Sequence, residues 1–448
     1  MTTEEKVKYL IIGNSAGGIG AVEAIREVDK AGAITIVSDE PYPAYSRPLI
    51  SNYLAEGYPL ERMLFRPPDF YEKNNIQAVL GQKVTELNVE KHAIKLEGNR
   101  TIIWDKLLLA TGSLPIIPAI NGLGLKGVFT FSTLDDAKAI DQFLKRYDGE
   151  VRAVVIGGGL IGVSATTALV KRGVDVTVVE MKERILNTVL DEEGSTLVAA
   201  SLKQSGVDII TGNTVTGVSN HAPGETAGVT IDDGRQLSCE MVIVAIGVRP
   251  RVELVPESKI NMNRGIIVDR HMATSSPDVY ACGDVAEAHD FVYDQNRLTL
   301  IWPNAYAGGR VAGFNMAGSP TIYQGGTAIN SIKYVGASIV SAGIVATPDD
   351  RYEVISHKDG HVYKKVVLRD GLIVGLVFSG DIERSGIVYN LMKERVDVDS
   401  FKEVLIADDF GLASLPENIW RARLATLPPE STLPPTSGER PEKMLVGE

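Results

Sequence analysis

The sequence predicts an α/β protein in which two doubly wound parallel sheets are followed by a C-terminal α+β domain. Three observations lead to this prediction. A pattern of strand, glycine turn, helix and strand occurs twice, first from Lys8 and again from Arg152. The chain of 448 residues is too long for one compact core. From about Gly325 the pattern changes to strand-like alternation, with an Asp370–Gly371 pair that is typical of a hairpin turn.

Composition and charge narrow the class of protein. Hydrophobic residues make up 44% of the chain and charged residues 23%, which is ordinary for globular proteins. The net charge of -12 does not indicate a nucleic-acid partner, for which a basic face would be expected. The start, MTTEEKVKYLIIG, has acids where a signal peptide needs basic residues, and no apolar run reaches the ~18 residues of a spanning helix. We therefore expect a cytoplasmic protein without a membrane span.

The first repeat contains the glycine turn GNSAGG at 13–18. The dinucleotide fingerprint has glycine at its first, third and sixth positions. Ser15 takes the third position here, and it is small enough for the backbone to approach a phosphate. The helix that follows would offer free N–H groups and the positive end of its dipole to that anion. The candidate binding residues are Gly13, Ser15, Ala16, Gly17 and Gly18, with Asp39 and Glu40 after the next strand as acceptors for ribose hydroxyls.

The second glycine turn, GGGLIG at 157–162, matches the fingerprint fully. Glu180 ends the next strand, near the ~20-residue spacing of the acid that binds a ribose. Because a carboxylate accepts from a 2′-hydroxyl and repels a 2′-phosphate, we expect NADH to be preferred over NADPH. Lys182 and Arg184 lie nearby and could soften that preference. The candidate binding residues of this turn are Gly157, Gly159, Leu160, Ile161 and Gly162.

The ordered set of motifs resembles the pyridine nucleotide-disulfide oxidoreductase superfamily of FAD/NAD(P)H enzymes, over about Lys8 to Ala407. Besides the two glycine turns, the resemblance depends on ATG at 110–112, AIG at 245–247 and ACGD at 281–284. It implies that the first repeat binds FAD, that the second binds NAD(H), and that Asp284 holds the ribityl chain of the flavin. The further cofactor contacts that it implies are Val84, Ala110, Thr111, Gly112, Gly247 and Gly283.

Two more segments are similar to flavin contacts of ferredoxin and rubredoxin reductases. The segment YSRPLIS at 45–51 resembles the YxRPxLS stretch of those enzymes, which implies that Arg47 approaches the flavin. The segment IWPNA at 301–305 resembles their WxNA stretch, and Pro303 is suited to the first position of a helix. That helix N-terminus would stabilise the negative charge of the reduced flavin. Arg47 and Trp302 are therefore candidate flavin neighbours, and the resemblance assigns no catalytic side chain.

The chain departs from the superfamily where a redox-active cysteine would stand. Disulfide reductases carry a CxxxxC pair beside the flavin, and related oxidases carry one cysteine. This chain has Arg47–Pro48 in that region and no cysteine before Cys239, so disulfide chemistry is not expected. Cys282 is expected to be a small packed residue. Many relatives also have a Glu on the second helix near the nicotinamide, where this chain has Ser164.

The expected domains follow from the two repeats and from the resemblance. They are an FAD-binding domain at 1–118 and 253–322, an NAD(H)-binding domain at 119–252, a C-terminal interface domain at 323–410 and a flexible tail at 411–448. The tail is rich in Pro, Ser and Thr. In several family branches the third domain packs subunits together, so a homodimer is also an expectation. His357 and His361 flank a hairpin signal, so we expect an exposed hairpin and no metal site.

The preferred functional interpretation is an NADH-dependent FAD reductase. Its flavin would exchange electrons with an iron–sulfur carrier such as rubredoxin or ferredoxin, or with an iron–sulfur partner subunit. Electron flow in either direction fits the sequence. Two alternatives stay open, namely an NADH oxidase or nitrite-reductase-like diaphorase, and an NAD(H)-sensing flavoprotein that acts through assembly.

Overall fold

The computed structural model describes residues 4–220, 225–334, 336–347 and 349–425. The first repeat forms a sheet with strand order β3-β2-β1-β6-β5-β4. Strands β1, β2, β3 and β6 are parallel, and β4 and β5 extend the sheet in the antiparallel sense. The elements of this segment are β1 (Glu4–Ile12), α1 (Ala16–Val28), β2 (Ile34–Ser38), α2 (Ile50–Glu56), α3 (Leu60–Met63), α4 (Phe70–Lys73), β3 (Ile76–Leu80), β4 (Val84–Asn88), β5 (Ala93–Leu96), β6 (Thr101–Leu109) and β7 (Ser113–Pro115).

The second repeat forms a parallel sheet with strand order β11-β10-β9-β15-β8. Its central strands are almost continuously apolar, because helices cover both faces of a parallel sheet. An antiparallel meander of β12, β13 and β14 is inserted before β15. The elements are β8 (Val128–Thr130), α5 (Leu134–Arg146), β9 (Arg152–Ile156), α6 (Leu160–Lys171), β10 (Asp175–Val179), α7 (Glu192–Gln204), β11 (Asp208–Ile210), β12 (Val215–Asn220), β13 (Thr226–Ile231), β14 (Gln236–Ser238), β15 (Met241–Val244) and β16 (Val248–Pro250).

The chain enters and leaves the second sheet through a two-stranded ribbon. Strand β16 pairs with β7 in the antiparallel sense, so both crossings between the sheets lie side by side. The chain then returns to the first sheet, where β18 pairs with the end of β6 in the parallel sense. The elements of this segment are β17 (Ile266–Ile267), β18 (Val279–Ala281), β19 (Ala286–Asp290), β20 (Gln295–Arg297) and α8 (Trp302–Met316).

The third domain is built on an antiparallel sheet with strand order β21-β22-β25-β24-β23. Asp370 and Gly371, with φ of +52° and +74°, form the predicted tight turn between β24 and β25. His357 and His361 lie in the hairpin of β23 and β24, as the sequence predicts. The elements are β21 (Ile329–Tyr334), β22 (Ala337–Gly343), β23 (Glu353–Asp359), β24 (Val362–Arg369), β25 (Leu372–Ser379), α9 (Ser385–Lys393) and α10 (Glu417–Ala425).

The start expected for the flexible tail, residue 411, is too early. Residues 412–414 form a 3-10 turn and α10 follows them. Leu415 is buried, and Ile419 and Trp420 pack against the apolar core of the third domain. These apolar side chains precede the Pro- and Ser-rich stretch on which the prediction was based, and burying them is favourable. The remainder of the expected tail, 426–448, lies outside the described residues.

Two features are absent from the described part of the chain. No helix there is both long enough and apolar enough to cross a lipid bilayer. No group of three or more His, Cys, Asp or Glu side chains there is arranged so that it could hold a metal ion.

Candidate functional site

Both glycine turns are built in the same way. Gly13 and Gly157 have φ of +122° and +104°, which strongly favours glycine. A Cβ atom on Gly13 would lie 2.0 Å from the carbonyl oxygen of Ala110, and one on Gly157 would lie 2.5 Å from that of Ala245. The strand end that carries the ATG or AIG motif therefore closes against the first glycine of its turn. This contact explains why the motifs, far apart in sequence, occur together.

The last glycine of each turn brings the helix onto the turn. A Cβ atom on Gly18 would lie 2.0 Å from the carbonyl oxygen of Gly13. The equivalent distance from Gly162 to the carbonyl oxygen of Gly157 would be 1.9 Å. Any side chain at either position would overlap the backbone, so the helix start could not approach the turn as closely.

The helix that follows each turn is suited to bind an anion. Ser15 is the residue before α1 and Gly159 the residue before α6, and both have extended backbone. Within the described residues, the Ser15 side chain does not cap α1, and Gly159 has no side chain that could cap α6. The first turn of each of these helices has no acidic residue. No atom of the described part of the chain would lie within 4 Å of a Cβ atom on Gly159, so those residues leave the space above the second turn open. Free N–H groups, a positive dipole end and open space fit the pyrophosphate of a dinucleotide.

The candidate ribose acid of the second repeat is held by its own turn. Glu180 is buried directly after β10. Its Oε2 accepts a hydrogen bond from Gly158 N at 2.6 Å, and its Oε1 accepts one from Lys182 N at 2.8 Å. A carboxylate has about four lone-pair sites, so acceptor capacity is left for ribose hydroxyls. The position fits the sequence prediction of a ribose acid.

The two candidate acids of the first repeat are in different surroundings. Gly13 N donates to Val37 O, and Gly157 N donates to Val179 O, both at 2.8 Å. Val37 is therefore the counterpart of Val179. The residue that follows it, Ser38, is the counterpart of Glu180, so an acid is not found at this position. Asp39 is one residue further along, and its Oδ2 lies 2.7 Å from Arg251 Nη2.

Glu40 fixes the candidate flavin neighbour Arg47. The Arg47 guanidinium donates to Glu40 Oε1 and, at 3.1 Å, to the carbonyl oxygen of Ser132. Tyr45 Oη donates to the other oxygen of Glu40 at 2.6 Å. Glu40 is therefore engaged by two side chains of the YSRP segment, which the sequence alone did not show. The Arg47 side chain keeps 39% of its surface exposed, so a bound group can still reach it.

Asp284 lies in the short 3-10 helix that follows β18. Ser113 Oγ, at the start of β7, donates to Asp284 Oδ2 at 2.7 Å. Burial raises the pKa of the Asp284 carboxyl, and the Ser113 hydrogen bond and the charge of Arg47 oppose that rise. A carboxyl group in this position fits the expected contact with a hydroxylated chain.

Helix α8 begins at Trp302, one residue before the predicted first position at Pro303, so that Pro303 is its second residue. The Trp302 ring packs edge-on against Phe65 at 5.0 Å between centroids, and Phe65 packs edge-on against Tyr306 at 5.9 Å. Val84, by contrast, is buried in the apolar core at the start of β4. A core role accounts for its side chain, and a cofactor contact there stays a prediction.

Both cysteines are free and buried. Burial raises the pKa of the Cys239 thiol and of the Cys282 thiol to about 12. Both are therefore protonated near neutral pH and lack the thiolate that redox catalysis needs. Cys282 Sγ would lie 2.8 Å from a Cβ atom on Gly17, so this cysteine packs against the first helix.

Sequence reasoning missed the close packing of α1 on α8. A Cβ atom on Gly309 would lie 2.0 Å from Gly17 O, and one on Gly313 would lie 2.3 Å from Ala21 O. Two glycines four residues apart on α8 allow this approach, and that spacing was visible in the sequence. The packing brings the N-terminal turns of both helices to the same side of the first sheet.

These features define a class of protein, the flavin- and nicotinamide-dependent oxidoreductases. Residues 7–309 match the family model described as pyridine nucleotide-disulphide oxidoreductase, and residues 329–396 match that of the rubredoxin NAD+ reductase C-terminal domain. The chain belongs to the pyridine nucleotide-disulphide oxidoreductase family.

Curated relatives include both small reductases and subunits of larger enzymes. The chain is 30% identical to subunit epsilon of the NADH-dependent phenylglyoxylate dehydrogenase of Aromatoleum evansii, over 93% of this chain and 99% of the relative. It is 29% identical to the NADH-rubredoxin oxidoreductase of Clostridium acetobutylicum, over 82% and 92% of the two chains. It is 31% identical to a Bacillus subtilis nitrite reductase [NAD(P)H], of which it spans 49%.

Solved structures agree with the fold. The crystal structure of the Clostridium acetobutylicum NADH:rubredoxin oxidoreductase is 26% identical, with a TM-score of 0.70 over 88% of this chain and 97% of that one. The putidaredoxin reductase–putidaredoxin complex, at 24% identity, has a TM-score of 0.83 over 94% of this chain and 99% of that one, and shows the fold alone. The protein is an FAD-dependent NAD(P)H oxidoreductase with two dinucleotide-binding domains and a C-terminal domain, which confirms the sequence prediction.

Proposed function

We propose that the protein passes electrons between NAD(H) and an iron–sulfur carrier through FAD. The carrier is rubredoxin, ferredoxin or an iron–sulfur partner subunit. One observation carries this proposal: two turns are built for dinucleotides, while both cysteines are buried thiols with raised pKa. Without a thiol to relay electrons, the acceptor has to exchange them with the flavin directly. Relatives named as a rubredoxin oxidoreductase and as a dehydrogenase subunit support the choice of partner.

The proposal includes an assignment of the domains and of the binding residues. Residues 1–118 and 253–322 bind FAD, residues 119–252 bind NAD(H), and the third domain extends from 323 to about 425. The residues proposed to contact FAD are Gly13, Ser15, Ala16, Gly17, Gly18, Asp39, Glu40, Arg47, Val84, Ala110, Thr111, Gly112, Gly283, Asp284 and Trp302; those proposed to contact NAD(H) are Gly157, Gly159, Leu160, Ile161, Gly162, Glu180 and Gly247. A cytoplasmic location is part of the proposal, since two unpaired cysteines suit a reducing compartment.

The protein's own residues bind, orient and stabilise charge. When bound, NADH supplies a hydride and FAD divides the electron pair for one-electron carriers. The N-terminus of α6 and Glu180 hold the nicotinamide dinucleotide, and the N-terminus of α1 holds the flavin dinucleotide. The charge of Arg47 and the dipole of α8 would stabilise negative charge on a flavin bound beside them.

The test compares electron acceptors for the purified, full-length protein. NADH oxidation is followed with rubredoxin, with ferredoxin and with oxygen as the acceptor. We expect a yellow protein whose turnover with at least one iron–sulfur carrier far exceeds its turnover with oxygen. If oxygen consumption accounts for all NADH oxidised, the protein is an NADH oxidase. If every acceptor is slow and NADH changes the oligomeric state, it is an NAD(H) sensor. Either result overturns the proposal.

A further inference from the structure

Arg251 lies at the boundary between the two nucleotide-binding sheets. It directly follows β16, the strand of the ribbon by which the chain leaves the second sheet. Both the N–H group and the carbonyl group of its backbone form hydrogen bonds with the turn that follows β6 of the first sheet. Arg251 N donates to Gly112 O at 2.9 Å, and Arg251 O accepts from Thr111 Oγ1 at 2.8 Å. The residue is thereby fixed to the ATG turn, although it lies far from that turn in sequence.

The side chain of Arg251 reaches the candidate ribose acid of the first repeat. Its Nη2 lies 2.7 Å from Asp39 Oδ2. The arginine side chain is 26% exposed and the aspartate 38%, so the pair is partly withdrawn from water. Although burial opposes it, the hydrogen bond and charge of Arg251 lower the pKa of Asp39. The aspartate is thereby kept ionised and able to accept hydrogen bonds from hydroxyl groups.

The second repeat needs no such arginine. Glu180 stands at the strand end, where N–H groups at Gly158 and Lys182 orient it. Asp39 stands one residue further along than that position, so the equivalent backbone arrangement does not apply to it. In this structure a side chain from the opposite side of the domain boundary, that of Arg251, binds its carboxylate.

We propose that Arg251 is a positioning residue for FAD, which orients Asp39 to bind the ribose of the adenosine half. The inference rests on the proposed FAD site in the first repeat. Arg251 acts on one end of the cofactor, so its removal weakens the binding of FAD and leaves the binding of FMN, which lacks adenosine, unchanged. General loosening of the flavin site would weaken both alike.

The experiment measures the release of flavin from the full-length protein. FAD-loaded and FMN-loaded samples are diluted, and the rise in flavin fluorescence gives the rate of release. The variants are Arg251→Ala, Arg251→Lys and the matched control Arg249→Ala. Arg249 is two residues away and forms an exposed ion pair with Glu253 at 2.6 Å. Asp39→Asn, which keeps the shape of the aspartate, serves as an independent variant in case Arg251→Ala does not fold.

For Arg251→Ala we expect FAD release about 10-fold faster, as the loss of one charge-assisted hydrogen bond predicts. FMN release should match the wild type. Arg251→Lys should fall in between, because lysine keeps the charge but not the planar fork. Asp39→Asn should give the same selective loss, and the double variant should add little to either single one. Equal acceleration of FAD and FMN, or equal effects at positions 249 and 251, would overturn the inference. A wild type that retains FMN as well as FAD would overturn the assignment of the FAD site itself.

Discussion

The two glycine turns share a backbone plan but differ in what supports them. The first turn lies against α8, where Gly309 and Gly313 let that helix approach α1 closely. Among the residues that the structure describes, no other helix packs on the glycines of the second turn in this way. That turn is instead covered by the loop that joins β10 to α7. Leu186 N donates to Gly158 O at 2.8 Å, and a Cβ atom on Gly158 would lie 2.6 Å from Ile185 Cγ2.

The covering loop of the second turn is tied to the third domain. The loop ends at Asp191, whose Oδ1 accepts from Gly194 N and so caps α7. Its other oxygen, Oδ2, accepts from Lys365 Nζ at 2.8 Å and from Tyr363 Oη at 2.6 Å, both on β24. All three of these side chains are buried. The comparison shows that one fingerprint can be stabilised in two ways, by a helix of its own sheet or by another domain.

The largest effect is expected from breaking the tie between the second turn and the third domain. Lys365→Met leaves the Asp191 carboxylate buried without its cation, which should lower the free energy of unfolding by about 3–5 kcal/mol. NADH affinity should fall with it, because the covering loop loses its anchor, while FAD content should stay that of the wild type. Urea unfolding and NADH titration measure the two effects.

The matched control for that variant is Lys358→Met. Lys358 binds Glu193 at 2.7 Å across the same contact, but its side chain is 50% exposed. An exposed pair should contribute less than about 1 kcal/mol. Equal destabilisation by the two variants would show that the buried pair has no special role. Loss of FAD from Lys365→Met would show that the two turns are not supported independently.

Substitution of the first glycine of each turn should separate the two cofactors. Gly13→Ala and Gly157→Ala both force a side chain into positive φ and onto a carbonyl oxygen, a strain of about 3 kcal/mol. Gly13→Ala should lose most of its FAD, measured by the ratio of flavin to protein absorbance. Gly157→Ala should keep its FAD, while its reduction by NADH in stopped flow becomes much slower. Full FAD occupancy in Gly13→Ala would contradict the assignment of the first turn.

A smaller effect is expected from the charge of Glu180. Glu180→Gln keeps the shape of the side chain and removes its repulsion of a 2′-phosphate, an effect of at most a few kcal/mol. The preference for NADH over NADPH should shrink rather than invert. Stopped-flow reduction with both nucleotides below saturation measures it, with Glu183→Gln, an exposed acid of the same loop, as control. Equal rates with the two nucleotides in the wild type would disprove the predicted preference.

The smallest effect is expected from removing both thiols. A Cys239→Ser, Cys282→Ser double variant should keep NADH-driven reduction of iron–sulfur carriers or of a one-electron dye, because neither protonated thiol takes part. Some loss of flavin affinity is expected, on the order of 1 kcal/mol, since Cys282 packs against Gly17 and a buried hydroxyl needs a partner. A variant that binds FAD and is reduced by NADH, yet passes electrons to no acceptor, would refute direct transfer.

Much of the site was predictable because its signals are local. A glycine with positive φ, a helix start after it and an acid at the next strand end lie within a short stretch of chain, so sequence spacing represents them well. The hairpin turn at Asp370–Gly371 was predictable for the same reason, and the start of α8 was predictable to within one residue of Pro303. The tail boundary was wrong because composition does not show which apolar residues find a surface to pack on, as Leu415 and Trp420 do.

The sequence by itself determined the two nucleotide turns, the change to strand-like alternation at the third domain and the lack of a redox cysteine beside Arg47. Only the tertiary structure decided how these parts support one another. In the structure the neighbouring acids Asp39 and Glu40 have different partners: Asp39 pairs with Arg251, and Glu40 pairs with Arg47. The tertiary structure also joined Asp191 to Lys365, which are far apart in sequence. Such pairings depend on which distant segments of the chain come into contact once the sheets are assembled. Local sequence patterns contain no information about those contacts.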